Sequence, residues 1–412
     1  MMLPMYTVLI MAKVMNDTQT AFNLAYTQLN EAQKEAVDSI EGPVMVIAGP
    51  GTGKTQILTL RIANILLKTD TAPESILALT FTESGAKAMR ERLRRYIGAQ
   101  AYRIPIYTFH GFSQKLIKEY PDAYERVIGG RPASDLEKIN LIETILEGGE
   151  VKLLRPMGSP SYYVMHILRM FGQMKQEYIT PDDFAKIIQQ QEMELEGIDE
   201  IHEKGAHKGK VRGEYTKKEK SIAKNQELLY IYRQYEALLI DQGLYDFEDM
   251  IVETVKALST KEDMLRDLQE VYQYVLADEH QDVNGSQNKI LELLSSYHDS
   301  PNIFVVGDEK QAIYRFQGAS LENFLYFEDI FKGTKTIALT KNYRSGQMVL
   351  DAAHSLVEVE DGPLKDLRVP LFAEAVSDSQ VTQRCFSHQA VEDMWIVQEV
   401  QKEIEKGTEA KE

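Results

Sequence analysis

Cysteine is almost absent. The 412 residues contain one, Cys385, which excludes an intramolecular disulfide framework and any Cys-rich zinc site. It also fits a reducing compartment, read here as the cytoplasm. Long apolar runs are missing too: none reaches the ~18 residues that a membrane-spanning helix needs. Met1 to Met15 is Met-rich and mildly apolar. Its one lysine, Lys13, follows the apolar stretch instead of preceding it, and no small-residue cleavage site closes it, so it reads as a leader and not as a signal peptide. Net positive charge is lacking: 46 Lys and Arg against 63 Asp and Glu give −17. That excludes a wholly basic nucleic-acid coat but leaves room for a local basic groove, because steering fields are local. There is no internal repeat and no low-complexity tract. What is present is an ordinary globular composition, 43% apolar and 26% charged, over a length that implies two or three domains.

Both ends of the chain alternate strand and helix patterns. Leu29, Ala32, Ala36, Val37 and Ile40 share one face at helical spacing and predict a helix over Ala25–Ile40. Gly42-Pro43 ends it. Val44–Ala48 is a short continuous apolar run, the pattern of a strand buried on both faces. After a glycine-rich loop, Ile57, Leu58, Ile62, Ile65 and Leu66 restore the helical period. Ile76–Leu79 and Ile104–Tyr107 predict strands, with a helix over Ser84–Tyr96 between them. From 113 to 240 the pattern is charged and helical, its best helix marked by Leu228, Ile231, Tyr232, Tyr235 and Leu239. Within it, Gly205–Lys224 is basic and predicts a loop: either a duplex contact or a solvated segment. Strands resume at Tyr274–Ala277, Ile303–Val306 and Thr336–Leu339. The whole predicts an α/β fold, a parallel sheet interrupted by a helical insertion.

Ala48-Gly49-Pro50-Gly51-Thr52-Gly53-Lys54-Thr55 follows a buried strand and opens a helix, the context a phosphate-binding loop requires. Its glycines let backbone N–H groups approach phosphate oxygens, and the helix N-terminus adds positive potential. Lys54 would reach the β- and γ-phosphates, and the Thr55 hydroxyl would ligate Mg²⁺. The strict pattern has Gly where Ala48 stands. Far downstream, Asp278 and Glu279 close another apolar strand. In a P-loop enzyme the first of such a pair holds Mg²⁺ and the second takes a proton from the attacking water. A solvated strand end is the alternative for the pair taken alone.

Further stretches fall in one colinear order between Tyr26 and Ser355. They are Tyr26–Val37, Leu79–Thr82, Thr108–Phe112, Asp278-Glu279-His280-Gln281-Asp282, Val306–Ala319 and Asn342–Ser345. Together with the phosphate loop they resemble the UvrD/Rep/PcrA-like group of superfamily 1 DNA helicases. The resemblance implies a RecA-like parallel-sheet domain, residues 26–112 and 241–333, after a leader, 1–25. A helical inserted domain would occupy 113–240, and a second RecA-like domain would begin at 334 and remain incomplete at 412.

By that resemblance ATP and Mg²⁺ are the cofactors. Gln33 would read adenine, though Asn30 and Gln33 also have the spacing of a helix capping box. Gly49, Gly51, Thr52, Gly53, Lys54 and Thr55 would cradle the phosphates, with Gln56 and Tyr343 beside the base. Thr55 and Asp278 would hold the metal. Lys54, Glu279, Gln311 and Arg344 would carry the chemistry at the γ-phosphate. Thr80, Phe81, Thr82, Thr108, Phe109, His110, Tyr314 and Phe316 would meet single-stranded DNA, hydroxyls on phosphates and rings on bases. For Phe81 and Phe109 a core position at a strand end is the competing reading. The chain departs from the family pattern at Gln56 and Gln317, where Arg is common. It also departs at Phe316, where Trp is frequent, and at His280, which stands in an aromatic position and reads as a packed side chain. The function implied is ATP-driven 3′–5′ movement on single-stranded DNA and single/double-strand junctions, in repair or recombination, without a membrane. Later family motifs, with their second arginine finger, are not found in the sequence, so the chain alone should turn over slowly. A non-motor P-loop ATPase and a module that only grips single strands are the competing classes. DNA stimulation of turnover separates them.

Overall fold

A computed structural model describes residues 17–201, 211–308, 322–357, 370–374 and 381–408. Its organising element is a six-stranded parallel sheet in the order β3-β2-β6-β7-β1-β8. The strands are β1 (Val44–Ala48), β2 (Ile76–Thr80), β3 (Ile106–Thr108), β6 (Tyr274–Ala277), β7 (Ile303–Gly307) and β8 (Lys335–Leu339). Two short pairs stand apart: β4 (Arg131–Pro132) with β5 (Leu244–Tyr245), and β9 (Lys341–Asn342) with β10 (Phe372–Ala373). Helices cover both faces, so the inner strands bury both sides. Val44, Val46, Ile76, Ala78, Leu276, Phe304 and Val306 point into one core, packed by helices Glu31–Asp38, Lys54–Lys68 and Glu83–Ile97. Met45, Leu77, Leu79, Val275, Ile303 and Val305 point into the other, packed by Phe109–Glu119, Asp249–Thr260, Glu262–Val271 and Gly285–Leu294. That double burial is why the strands read as unbroken apolar runs.

The structure differs from the sequence expectation in four places. The helix expected over Ala25–Ile40 is two: one over residues 17–27, then Glu31–Asp38. Asn30 breaks it by capping the second, its side chain accepting from the Gln33 N–H while the Gln33 side chain accepts from the Asn30 N–H. The helical unit begins later than residue 113: Leu116, Ile117, Tyr124 and Val127 pack under the sheet. Its own core runs from Leu141 to Leu244 and gathers helices Asp135–Glu147, Val164–Gln176, Pro181–Glu196 and Gly213–Asp241. The basic stretch expected as a loop through Lys224 is helical from Gly213. Ile222 is buried there, and Asn225 and Gln226 bond Gln191 and Glu192 of the neighbouring helix. Lys204, Lys208 and Lys210 lie outside the described residues. Finally β8, expected to start a second RecA-like domain, is the edge strand beside β1, since Ile337 and Leu339 complete the first core.

A buried ion cluster ties the helical unit to the sheet domain. Lys175 Nζ stands 2.7 Å from Glu236, 2.6 Å from Asp246 and 2.8 Å from Asp249. Arg126 reaches Glu236 at 2.8 Å and Asp249 at 3.0 Å. Burial pushes the Lys175 ammonium down, but Asp249, Glu236 and Asp246 overcome it and hold it well above the ordinary lysine value. Among the described residues, no helix is long and apolar enough to cross a membrane.

Candidate active site

Every motif the sequence singles out within the described residues sits at or just beyond the carboxyl end of a sheet strand, or on the helix that leans on the loop there. That is where open parallel sheets bind ligands. After β1 the chain turns through Gly51 (φ +72°) and Gly53 (φ +93°), a left-handed backbone that favours glycine. A Cβ at Gly51 would meet Arg344 Cβ at 2.6 Å and Asn342 Nδ2 at 2.8 Å. The segment after β8 therefore lies directly on the loop. Tyr343 N–H donates to the Gly51 carbonyl at 3.0 Å, and the Asn342 amide donates to the Pro50 carbonyl. Asn342 is 1% exposed, and its Oδ1 accepts from the Arg344 and Ser345 N–H groups, both at 2.8 Å. Arg344 and Tyr343 are thus fixed by an asparagine that sequence reasoning did not single out.

These residues enclose a cleft of about 540 Å³ lined by Gln33, Gly51, Gly53, Lys54, Thr55, Gln56, Arg92, Glu279, Tyr343 and Arg344. Gln33 Nε2 donates to the Thr52 carbonyl at 2.8 Å, so its capping bond and its place at the loop coexist. Thr52 Oγ1 donates to the Gly49 carbonyl at 2.7 Å. Lys54 Nζ lies 3.1 Å from Glu279 Oε2. Glu279 has φ +50°, rare for a non-glycine residue. Its carboxylate is also held by Gln281 Nε2 at 2.8 Å. The other end of Gln281 accepts from the Asp308 N–H at 2.9 Å. Gln281, inside the acidic motif, is a second positioning residue that the spacing alone could have flagged.

Asp278 is 5% exposed. Burial and the neighbouring Glu279 push its carboxyl up to about 6, against the opposing pull of the Glu279 N–H, Lys54 and Arg92. A buried carboxyl at Asp278 and a threonine hydroxyl at Thr55, on the wall of the first cleft, are hard oxygen donors of the kind that suit Mg²⁺. Residues Thr55 and Asp278 therefore fit the metal. His280 is fully buried: its Nε2 is 3.2 Å from Asn288 Oδ1, and Phe324 and Phe327 meet its ring edge-on. It is a packed side chain. Gln311, Tyr314, Phe316 and Gln317 lie outside the described residues.

A second cleft, of about 620 Å³, opens beyond β2 and β3 and is lined by Thr80, Phe81, Thr108, His110, Phe247, Glu248 and Asp282 among others. Thr82 and Thr108 cap the helices that follow, accepting from Gly85 and Gly111 N–H at 3.0 Å each. Thr108 Oγ1 also donates to Glu83 at 2.8 Å. Of the expected stacking rings, two lie within the described residues: Phe81 is 40% exposed, but Phe109 is 2% exposed and belongs to the core under the sheet. For Phe109 the core reading is the one observed. A ring that the sequence did not flag takes the exposed position: Phe247, 60% exposed, stacks on His110 at 3.8 Å.

His110 is neutral at pH 7, because burial pushes its imidazole down to about 4 although a contact to the Phe247 backbone opposes this. It therefore brings no cation to a phosphate. The unfolded chain binds this proton near 6.5, before the folded chain does, so stability is intact above ~6.5 and falls as pH drops toward 4. We expect the thermal midpoint of His110→Phe to decline less over that interval than that of the parent. Parallel declines would show that His110 is not responsible.

A P-loop fold of RecA type, with a helical insertion and two clefts at the carboxyl ends of one sheet, is what the fold and site define. The chain belongs to the UvrD/Rep helicase family: residues 29–332 match the UvrD/REP helicase N-terminal domain. Among its relatives is the ATP-dependent DNA helicase PcrA of Staphylococcus epidermidis, 29% identical over 336 residues, which are 82% of this chain and 41% of the relative. PcrA of Staphylococcus aureus is likewise 29% identical over 336 residues, 82% of this chain and 40% of the relative. The chain thus spans about two fifths of the length of these relatives.

Proposed function

We propose that this chain binds ATP with Mg²⁺ in the first cleft and single-stranded DNA in the second. It would serve as the nucleotide-binding part of a 3′–5′ helicase active at single/double-strand junctions in cytoplasmic DNA repair or recombination. The observation that carries this is the Lys54–Glu279 pair, 3.1 Å apart in a cleft walled by Tyr343 and Arg344. In this reading Lys54 leaves Glu279 for the β- and γ-phosphates, which frees the carboxylate to accept a proton from water. Gly49, Gly51, Thr52 and Gly53 offer backbone N–H groups to the phosphates, and Gln33, Gln56 and Tyr343 border the base. Thr55 and Asp278 hold Mg²⁺, which when bound neutralises charge on the β- and γ-oxygens. Gln311 and Arg344 report the γ-phosphate. Thr80, Thr82 and Thr108 position the DNA backbone, and Phe81 and Phe247, with Tyr314 and Phe316, offer rings to bases.

Separate binding assays test this, with a fluorescent ATP analogue plus Mg²⁺ and with labelled oligo(dT). Lys54→Ala is expected to lose the nucleotide and keep oligo(dT). Phe247→Ala is expected to keep the nucleotide and to weaken oligo(dT) about ten-fold or more, the size of one lost base stack. Parallel loss of both ligands in either variant, or loss of neither, would count against two distinct sites.

A further inference from the structure

Arg61, on the phosphate-loop helix Lys54–Lys68, is 1% exposed. Among the described residues it has no carboxylate to pair with. Burial pushes its guanidinium down to about 9, so it still carries its charge at pH 7. A buried cation without a counter-ion is costly, and an apolar side chain would fill the place more cheaply. What meets the charge is the carboxyl end of helix Glu31–Asp38. Arg61 Nη1 donates to the Ala36 carbonyl at 2.8 Å, at the end of the helix where carbonyls lack intrahelical donors and the dipole is negative. The guanidinium also lies over the Phe304 ring, 4.5 Å from its centroid, and a ring face attracts a cation. One turn on, Asn64 Nδ2 donates to the Val37 carbonyl at 3.0 Å and to Asp38 at 3.1 Å. Lys68 reaches Asp38 at 2.8 Å. The spacing 61, 64 and 68 puts these three donors on one helix face. Helix Glu31–Asp38 has eight residues, too few to hold a position without such support. Gln33 lies one turn before Ala36 on the same buried face. Its Nε2 donates to the Thr52 carbonyl at 2.8 Å and would stand 3.0 Å from a Cβ at Gly53. The place of Gln33 in the first cleft is therefore set from the far end of its own helix.

We propose that Arg61, supported by Asn64 and Lys68, is a positioning residue for base recognition: it clamps helix Glu31–Asp38 to the phosphate-loop helix and so aims Gln33 at an adenine in the first cleft. This rests on the first cleft being the ATP site and on Gln33 reading its base.

The test titrates the chain as it stands with non-hydrolysable ATP and GTP analogues, each with Mg²⁺. The parent is expected to prefer the ATP analogue by about 10-fold, the net weight of one or two base hydrogen bonds. Arg61→Met should weaken the ATP analogue by about that factor and the GTP analogue by less than about 3-fold, so that the preference collapses. Gln33→Ala should lose the same preference. The double variant should be no worse than Gln33→Ala alone, because both changes act through one amide. Arg61→Lys, which keeps a charged donor for the Ala36 carbonyl, should restore part of the preference. Leu60→Ala, fully buried on the same helix, controls for loosening: its thermal midpoint should fall while its preference stays. If Arg61→Met does not fold, Arg61→Lys and Asn64→Ala take its place. Equal weakening of both analogues, an unchanged preference, an additive double variant, or the same collapse in Leu60→Ala would overturn the proposal. A parent that binds neither analogue removes the ATP reading and this inference with it. A parent that binds both without preference removes the reading of Gln33 and leaves the phosphate site. A parent that prefers the ATP analogue beside an Arg61→Met that prefers it equally sinks the clamp alone.

Discussion

Glu279→Gln is expected to cut DNA-stimulated ATP hydrolysis by roughly 10²–10⁴-fold, the usual weight of a positioned general base, while leaving nucleotide binding in place. Glutamine keeps the shape and can still face Lys54 and Gln281, which hold the carboxylate at 3.1 and 2.8 Å, but it cannot take a proton from water. The substitution should even help the triphosphate to bind, because it removes an anion from the phosphate end. It also removes one of the two influences that raise Asp278, so the candidate metal ligand ionises more readily. Steady-state hydrolysis set beside analogue binding decides the matter. Turnover within a few-fold of the parent would show that another group activates water, and the role given to Glu279 would have to be withdrawn. The left-handed backbone at Glu279 adds a constraint: this conformation costs a non-glycine residue about 1–2 kcal/mol. Glu279→Gly is therefore expected to fold at least as easily while losing activity, which would separate the chemical role from the structural one.

The sheet was legible because its inner strands bury both faces. Five consecutive apolar residues at Val44–Ala48 leave few alternatives when a glycine-rich loop and a helix follow. The phosphate loop and the acidic pair were legible for the same reason, since each motif is anchored to such a strand. The limits of the helical unit were not. Phe109–Glu119 and Asp135–Glu147 are both amphipathic helices, and which core each serves depends on where Leu116 and Leu141 end up in space. The basic stretch hid its helix because lysines form helices well while giving no apolar period, and Ile222 is a lone anchor there. The stacking rings show the same limit at finer grain. Phe81 and Phe109 each follow a strand and border the same cleft, yet one is exposed there and the other is buried in the core. Phe247 meets His110 only because the chain closes on itself after the insertion. Periodicity reports which residues are buried, and it is silent about which distant segments meet.

Lys175→Met is expected to destabilise the protein by about 3–5 kcal/mol, the cost of breaking a buried ion pair on one side only. Methionine fills the space but leaves Glu236, Asp246 and Asp249 facing one another, and Arg126, which also reaches Glu253, pairs with Glu236 and Asp249 of the three. The same change at Lys218, an exposed partner 3.8 Å from Glu194, should cost next to nothing. Urea unfolding measures both. Acid should narrow the gap between Lys175→Met and the parent, because Asp249, already raised by burial and by Glu236, takes up a proton once its lysine is gone. A deficit under about 1 kcal/mol at neutral pH would mean that protonation replaces the ammonium almost without cost. The cluster also bears on the proposed function. Asp246 and Asp249 flank Phe247 and Glu248, and both of these line the second cleft, proposed above for single-stranded DNA. The Asp246 N–H donates to Asp249 at 2.7 Å, closing a tight turn beneath them. Loss of Lys175 should therefore loosen Phe247 and weaken oligo(dT) binding at temperatures where the chain is still folded. The first cleft, proposed above for ATP, shares no lining residue with that turn and should bind nucleotide as before.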